Sequence, residues 1–426
     1  MTWLDRNVTE IGGRQLQPET LMMGYGYFPG LSEGAVKCPL FQTSTFVFRS
    51  AAEGKRFFEL AYGLRRPEPA ERPGLIYSRI NNPNLEILED RLGIWEGAKA
   101  LVFSSGMAAI ATSLFAYLRP GDVVLHSSPV YGGTDYLFDR LLPQFGARAV
   151  AFRAGASESE VRAALASARN LGRLSCLYVE TPANPTNDLV DLGLMARLAE
   201  ETAAATGIRP TVMVDNTFLG PLWQRPLEHG CDVVLYSLTK YVGGHSDVVA
   251  GAALGSPAAL APILTMRTIF GTISDPHTAW LLMRSLETLA LRGARSVESA
   301  RRVARYLQGH PKVEQVLYLD FLEQGSAQEL VYRRQCRAPG ATFSFKVRGG
   351  EAEAFRALDA LKLVKLAVSL GGTESLASHP AAMTHSDVPA DRRAELGITD
   401  NLVRVSIGVE DADDLVADFT QALERV

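Results

Sequence analysis

The sequence is poor in cysteine and nearly balanced in charge. Its 426 residues include four cysteines that lie far apart with no C-x-x-C pair, so we expect neither disulfide bonds nor a structural zinc site. None of the histidines shows metal-ligand spacing either. The formal net charge of −4 provides no basic surface for nucleic acid. These scarcities predict a reduced, cytoplasmic protein that binds neither a metal nor nucleic acid.

Long apolar runs and the common nucleotide-binding motifs are also missing. No apolar run approaches the length that spans a bilayer, and the first residues lack a basic start followed by an apolar core. We therefore expect neither a membrane span nor a signal peptide. The turn Ser104–Met107 is followed by no G-x-x-x-x-G-K-[ST] and no G-x-G-x-x-G motif, which argues against a Walker NTPase and a Rossmann dinucleotide site.

Short apolar runs alternate with helical patterns through the middle of the chain. The predicted strands lie at 100–103, 122–125, 149–152, 174–179, 211–214 and 233–235, and a glycine-rich loop follows at 241–251. This alternation predicts an α/β fold with a mostly parallel, doubly wound sheet. We assign residues 76–274 to this large domain and residues 1–75 to an N-terminal arm that includes a helix at 51–64.

The character of the sequence changes near residue 275. Helical patterns at 276–292 and 297–308 are followed by segments at 341–347 and 402–408 that alternate as strands do, and by an amphipathic helix at 411–425. Residues 275–426 are therefore predicted to form a smaller C-terminal α+β domain with an antiparallel sheet.

A lone lysine, Lys240, stands where a buried strand meets the glycine-rich loop. A desolvated lysine has a lowered pKa and can act as a nucleophile, although a strand-end lysine taken alone is more often a surface residue. Four other residues also follow strands closely: Ser105, Tyr131, Asn184 and Asp215. Because ligands bind outside the carboxyl ends of parallel strands, all five side chains are expected to face one cleft.

These groups suit a flat aromatic aldehyde with a phosphate arm and a basic ring nitrogen, which describes pyridoxal 5′-phosphate (PLP). Lys240 would hold the aldehyde, Asp215 would keep the ring nitrogen protonated, and Tyr131 would stack on the ring. The phosphate would be held at the start of a helix and by nearby hydroxyls and a cation, from Ser105, Gly106, Ser237, Thr239, Tyr77 and Arg79.

The motifs that carry these residues resemble those of the Cys/Met-metabolism PLP enzymes, a family that includes cystathionine γ-synthase, cystathionine γ-lyase, methionine γ-lyase and O-acetylhomoserine sulfhydrylase. They are Tyr77-Ser-Arg79, Ser104-Ser-Gly-Met107, Tyr131-Gly-Gly, Glu180-Thr-Pro-Ala-Asn184-Pro, Asp215-Asn-Thr217 and Ser237-Leu-Thr-Lys240. The resemblance continues to the C-terminus through Ser369-Leu-Gly-Gly-Thr-Glu374, His379 to His385 and Arg404-Val-Ser-Ile-Gly408. It implies a fold-type-I PLP-dependent transferase.

The resemblance also implies a role for each position. Lys240 and Tyr131 are similar to the catalytic residues: the lysine that carries the cofactor and shuttles protons, and a tyrosine that acts as acid or base. The implied cofactor contacts are Lys240, Tyr77, Arg79, Gly106, Met107, Tyr131, Asn184, Asp215, Ser237 and Thr239, and the implied substrate contacts are Ser369, Arg404 and Glu374. Tyr77 and Arg79 resemble residues donated by a neighbouring subunit, which implies a homotetramer with shared active sites.

The outcome of the implied reaction stays open at this stage. We favour γ-elimination on a sulfur amino acid such as cystathionine, with γ-replacement or methionine γ-lyase activity as alternatives. Gly133 stands where methionine γ-lyases typically carry a cysteine, and Glu374 resembles an acid that meets the distal amino group of cystathionine. The insert at 58–74 departs from the length usual in the family, and we expect it to reshape the entrance.

Overall fold

The computed structural model describes residues 7–68, 71 and 74–426. The region predicted as an N-terminal arm contains a hairpin of β1 (Glu10–Ile11) and β2 (Arg14–Gln15), followed by helices α1 (Pro18–Leu21) and α2 (Ala51–Ala61); helix α3 (Pro83–Glu96) comes after it, within the predicted large domain. Helix α2 is shorter than the predicted 51–64, since its last turn ends at Tyr62 and Gly63 follows with a positive φ of 66°. Part of the insert at 58–74 lies outside the described residues.

A seven-stranded sheet forms the centre of the protein. Its strands are β3 (Lys99–Phe103), β4 (Asp122–Ser128), β5 (Arg148–Arg153), β6 (Arg173–Glu180), β7 (Thr211–Asp215), β8 (Val233–Ser237) and β9 (Gly251–Gly255). The strand order is β3-β9-β8-β7-β6-β4-β5, and all strands are parallel except β9, which is antiparallel to both neighbours. The predicted mostly parallel sheet is confirmed.

Strand β9 is the element of the large sheet that the sequence pattern missed, and its first residue, Gly251, is the last residue of the predicted glycine-rich loop. The segment Gly-Ala-Ala-Leu-Gly has no β-branched or aromatic residue, so nothing in its composition indicates a strand. Its small side chains allow close packing: a Cβ at Gly251 would lie 2.1 Å from the Ser105 carbonyl oxygen. Tertiary packing therefore decides this strand.

Helices cover both faces of the large sheet, as a doubly wound fold requires. They are α4 (Gly106–Tyr117), α5 (Gly132–Tyr136), α6 (Glu158–Leu171), α7 (Leu192–Thr206), α8 (Gly220–Trp223) and α9 (Pro257–Phe270). One buried cluster joins α4 and α9 to the sheet through residues such as Leu114 and Ile263, and another joins α6 and α7 through Leu165 and Leu198. Each such burial contributes about 1.5–3 kcal/mol.

The C-terminal region forms a second, five-stranded sheet in the order β10-β11-β14-β13-β12. Its strands are β10 (Val313–Leu317), β11 (Thr342–Val347), β12 (Lys365–Leu366), β13 (Leu376–Ser378) and β14 (Leu402–Ser406), and its helices are α10 (Pro276–Leu286), α11 (Leu289–Gln308), α12 (Ala327–Gln335), α13 (Glu351–Ala360), α14 (Ala390–Glu395) and α15 (Ala412–Leu423). Pairing is antiparallel except between β12 and β13.

The predicted boundary between the helices at 276–292 and 297–308 is wrong. The chain instead breaks at 287–288, and α11 continues without interruption through Gly293. This glycine packs closely, since a Cβ there would lie 2.5 Å from Leu222 Cδ1, and it does not end the helix. The division into arm, large domain and small domain at residues 75 and 274 stays a prediction.

Two further properties of the described residues bear on function. None of their helices combines the length and the apolarity that crossing a membrane requires. No group of three or more metal-binding side chains comes together among them. Cys38, Cys176, Cys231 and Cys336 are all free thiols.

Candidate active site

A cavity of about 290 Å³ lies at the carboxyl end of the large sheet. Strands β6, β7 and β8 end at its wall, and helix α4 begins there. The predicted site residues that line it are Ser105, Gly106, Met107, Tyr131, Asn184, Asp215, Ser237, Thr239 and Lys240. The structure thus brings together all five of the strand-end residues that the sequence pattern singled out.

Lys240 presents a partly buried amine to this cavity. It follows β8 in a tight turn, and its Nζ donates a hydrogen bond to Ser369 Oγ at 2.9 Å. Burial, together with the smaller effect of the positive charge of Arg404, lowers the pKa of Lys240 from 10.5 to about 8. A substantial fraction of the amine is therefore neutral, and nucleophilic, near pH 8.

This lowered pKa predicts how the apo-protein takes up its cofactor. Only the neutral amine can attack an aldehyde, so the rate of covalent PLP capture should rise with pH and level off above a midpoint near 8. Stopped-flow absorbance over pH 6–10.5 would measure this midpoint. A midpoint at the ordinary lysine value of 10.5 would contradict the buried position of Lys240.

Asp215 ends β7 in the same cavity and is 6% exposed. Its Oδ1 accepts the Thr217 N–H at 3.0 Å, and the Tyr178 hydroxyl donates to its Oδ2 at 3.5 Å. Burial raises the pKa of this carboxyl group. Asp215 has no cationic partner among the described ion pairs, so a ring N–H would give this buried carboxylate the charge-assisted bond it lacks.

The phosphate end of the site lies at the start of α4, where Gly106 is the first helical residue. Ser105 caps the helix by accepting the Ala108 N–H at 3.0 Å, and the N–H groups of Gly106 and Met107 precede the first intrahelical hydrogen bond, which Ala109 donates to the Ser105 carbonyl oxygen. A Cβ at Gly106 would lie 2.8 Å from Ser237 Cβ, so only glycine keeps this space open. The start of the helix, the serine hydroxyls and the space left by the missing side chain of Gly106 together suit a phosphate group.

Arg404 lies deeper, on β14, and does not line the cavity itself. Its Nη1 donates to Asn184 Oδ1 at 3.1 Å, and its Nη2 donates to the Val368 and Ser369 carbonyl oxygens at 2.7 and 3.3 Å. Burial lowers its pKa to about 10. Among the residues described, no carboxylate forms an ion pair with this guanidinium, which leaves a buried cation suited to a substrate carboxylate.

Besides Ser369 and Arg404, three more predicted site residues do not line the cavity. Tyr77 is 41% exposed, and Arg79 Nη1 donates to the Thr268 carbonyl oxygen at 2.5 Å, beside the end of α9. Neither residue is part of the lining of the cavity in its own chain. Glu374 accepts a hydrogen bond from the Ser246 hydroxyl in the loop after Lys240. The roles of these three residues stay predictions.

The cavity also contains residues to which sequence reasoning gave no role. Glu180 and Thr217 are polar, and the apolar members are Ile110, Phe218, Val249 and Leu370. Glu180 and Thr217 stand inside recognised motifs, and Glu180 ends a predicted strand as Asp215 does, so position alone could have indicated it. The apolar residues carry no comparable signal, because their sequence pattern is the same as that of core residues.

The residues present fit PLP. An amine, a carboxylate without a cationic partner and a glycine-lined helix start surround one cavity, and Tyr131, which is 46% exposed, offers an accessible ring. The chain matches the family model "Cys/Met metabolism PLP-dependent enzyme" over residues 19–424. The fold and site therefore define a PLP-dependent enzyme, and the chain belongs to the family of Cys/Met-metabolism PLP-dependent enzymes.

Individual relatives in this family have different activities. The chain is 39% identical to an L-methionine γ-lyase of Pseudomonas deceptionensis, over 96% of this chain and 97% of that protein. It is also 39% identical to a cystathionine γ-synthase of Mycobacterium bovis, over 95% of this chain and 96% of that protein. The crystal structure of cystathionine γ-lyase from Lactobacillus plantarum complexed with L-serine matches with a TM-score of 0.83 at 31% identity, over 96% of this chain and 99% of that one.

Proposed function

We propose that this enzyme catalyses γ-elimination on a sulfur amino acid such as cystathionine, giving a 2-oxo acid, ammonia and a thiol. The observation that carries the proposal is the shared cavity of Lys240 and Asp215, with the buried guanidinium of Arg404 beside it. This chemistry needs three groups: an amine that can transfer protons, a carboxylate that can pair with the protonated ring nitrogen, and a guanidinium that can bind the substrate carboxylate.

Each residue has a distinct task in the proposed mechanism. Arg404, oriented by Asn184, binds the α-carboxylate of the substrate. When bound, PLP supplies an electron sink that stabilises negative charge at the substrate α-carbon. Lys240, as a neutral amine, removes the α-proton, and Ser369 holds that amine in place through the 2.9 Å hydrogen bond. A proton then leaves the β-carbon, the electron pair left there expels the γ-substituent, and Tyr131 gives a proton to that substituent as it departs.

γ-Replacement is the second candidate, favoured by the similarity to the Mycobacterium bovis synthase. The same residues would perform the early steps, and attack by a thiol in place of water would complete the reaction. Methionine γ-lyase activity is supported by the Pseudomonas deceptionensis relative but disfavoured by Gly133. A Cβ at Gly133 would lie 2.8 Å from Tyr131 Cε1 and 3.1 Å from Met107 Sδ, so a cysteine there would displace the tyrosine ring.

We assign the remaining predicted residues by the same reasoning. Glu374, near the loop after Lys240, would meet the distal amino group of cystathionine. Tyr77 and Arg79 would hold the phosphate of a neighbouring subunit in a homotetramer, and their absence from the lining of the cavity in their own chain supports this arrangement. Free cysteines support a cytoplasmic location.

The test is a substrate panel for the PLP-loaded enzyme: cystathionine, methionine and O-acetylhomoserine, each with and without added cysteine. The expected result is release of 2-oxo acid from cystathionine in the absence of added cysteine. Formation of cystathionine from O-acetylhomoserine and cysteine would assign γ-replacement instead. Turnover of methionine above that of cystathionine would assign methionine γ-lyase activity, and no turnover of any of these would contradict γ-chemistry.

Arg404 provides a specific prediction about substrate binding. Replacing it with lysine keeps a positive charge but removes the planar fork, so kcat/KM should fall by about 10- to 100-fold, mainly through KM. Arg404→Met should lose more, since the carboxylate would have no cation. Steady-state kinetics with cystathionine measures both. Arg348→Met, on an exposed arginine, is the matched control and should leave KM unchanged.

A further inference from the structure

Glu180 ends β6 inside the cavity, and no step of the proposed mechanism uses it. The residue is 5% exposed, and its Oε2 accepts the Tyr131 backbone N–H at 2.7 Å. The Asn184 backbone N–H faces the same carboxyl group. A single buried side chain therefore connects the loop that carries the stacking tyrosine with the loop that carries Asn184.

Glu180 also stands directly beside Asp215. The two residues are paired in register on the adjacent parallel strands β6 and β7, at the wall of one cavity. The positive charge of Arg404 lowers the pKa of Glu180. Glu180 nevertheless forms no ion pair with Arg404 or with any other residue that the structure describes. Two neighbouring carboxyl groups in an enclosed site do not both ionise readily, because each negative charge opposes the other.

The surroundings decide which of the two stays neutral. Burial, followed in size by the negative charge of Asp215, raises the pKa of Glu180 well above its ordinary value. Asp215 is stabilised as an anion by the Thr217 side chain and backbone N–H and by Tyr178. A protonated ring nitrogen would add one positive charge to the site, which balances one carboxylate rather than two.

We propose that Glu180 is a positioning residue: as a neutral hydrogen-bond acceptor it fixes the loops of Tyr131 and Asn184, and it leaves Asp215 as the one ionised carboxylate at the ring. The inference rests on the cofactor site and on the roles proposed for Tyr131 and Asn184. It is independent of whether water or a thiol completes the reaction.

Glutamine is the substitution that separates this role from others, because it keeps an acceptor oxygen of the same reach and carries no charge. Apo-protein of Glu180→Gln should bind PLP within about threefold of the native affinity. The visible circular dichroism of its bound cofactor should match the native spectrum, since Tyr131 keeps its place. Glu180→Ala should weaken PLP binding by at least about tenfold and reduce the dichroic band, because buried N–H groups lose their acceptor.

Two more variants keep the test decisive. Glu180→Asp retains the acid but is one methylene too short for the Tyr131 N–H, so it should behave like the alanine variant even if the latter folds poorly. Glu96→Gln makes the same change in a buried carboxyl group that accepts from the Tyr236 hydroxyl outside the cavity, and should leave PLP binding and dichroism unchanged.

The outcomes that overturn the proposal are specific. If Glu180→Gln is impaired as strongly as Glu180→Ala, the negative charge of Glu180 is required. If Glu180→Ala or Glu180→Asp binds PLP with native affinity and a native spectrum, Glu180 positions nothing. Because PLP titration and dichroism need no sulfur amino acid, these results stay distinct from a failure of the proposed γ-elimination.

Discussion

Replacing Lys240 with alanine should reduce turnover of cystathionine by on the order of 10⁴-fold, because both the covalent attachment of PLP and the proton-transferring amine are lost. The visible absorption band of the native protein should disappear as well. Borohydride treatment should fix PLP on Lys240 in the native protein and on no residue of the variant, which peptide mass spectrometry can establish.

The variant Lys240→Arg tests whether the enzyme needs the nucleophilic amine of Lys240 or only its positive charge. Arginine stays positively charged and cannot become a neutral nucleophile, so this variant should be as inactive as Lys240→Ala. Lys99→Ala, at an exposed lysine, should retain native activity and absorbance. Appreciable activity in Lys240→Arg would show that the lysine contributes only positive charge, and the proposed mechanism would fail.

Asp215→Asn should lower kcat by about 10²- to 10³-fold, the cost of breaking a buried charge pair. The asparagine amide cannot hold the ring nitrogen in its protonated form, so the ring loses its capacity to accept electrons. PLP should still attach to Lys240, and the protein should remain coloured. Absorbance and steady-state kinetics therefore separate attachment of the cofactor from its activation.

The same substitution should change stability with opposite sign in the apo- and PLP-bound forms. Folding raises the pKa of Asp215, so the folded state binds the proton more tightly than the unfolded chain. Above the ordinary aspartate pKa this group consequently costs stability, and Asp215→Asn should leave apo-protein equally or more stable at pH 7. With PLP bound, the variant should unfold at a lower temperature than the native protein.

Asp188→Asn is the control for this experiment, since burial also raises the pKa of Asp188 and the residue does not line the cavity. It should leave kcat and the response of stability to PLP unchanged. If Asp215→Asn retained native kcat, Asp215 would have no part in activating the ring.

Local pattern accounts for most of the large sheet. Each of the strands β3 to β8 contains at least one β-branched valine that marks it in the sequence, whereas Gly251–Gly255 has no β-branched or aromatic residue, and the sequence pattern does not predict it. The helix boundary was misplaced near Gly293 because a glycine needed for close packing has the same appearance in sequence as one that ends a helix.

The sequence by itself determined the class of chemistry, since Lys240, Asp215 and Tyr131 each follow a predicted strand, and a parallel sheet collects such residues at one edge. Tertiary structure alone decided the contacts across long separations: Arg404 meets Asn184 from 220 residues away, and Lys240 meets Ser369 from 129 residues away. The pairing of Glu180 with Asp215 likewise depends on β6 lying beside β7. Strand order and domain packing set these distances, and the residues nearest in sequence do not specify them.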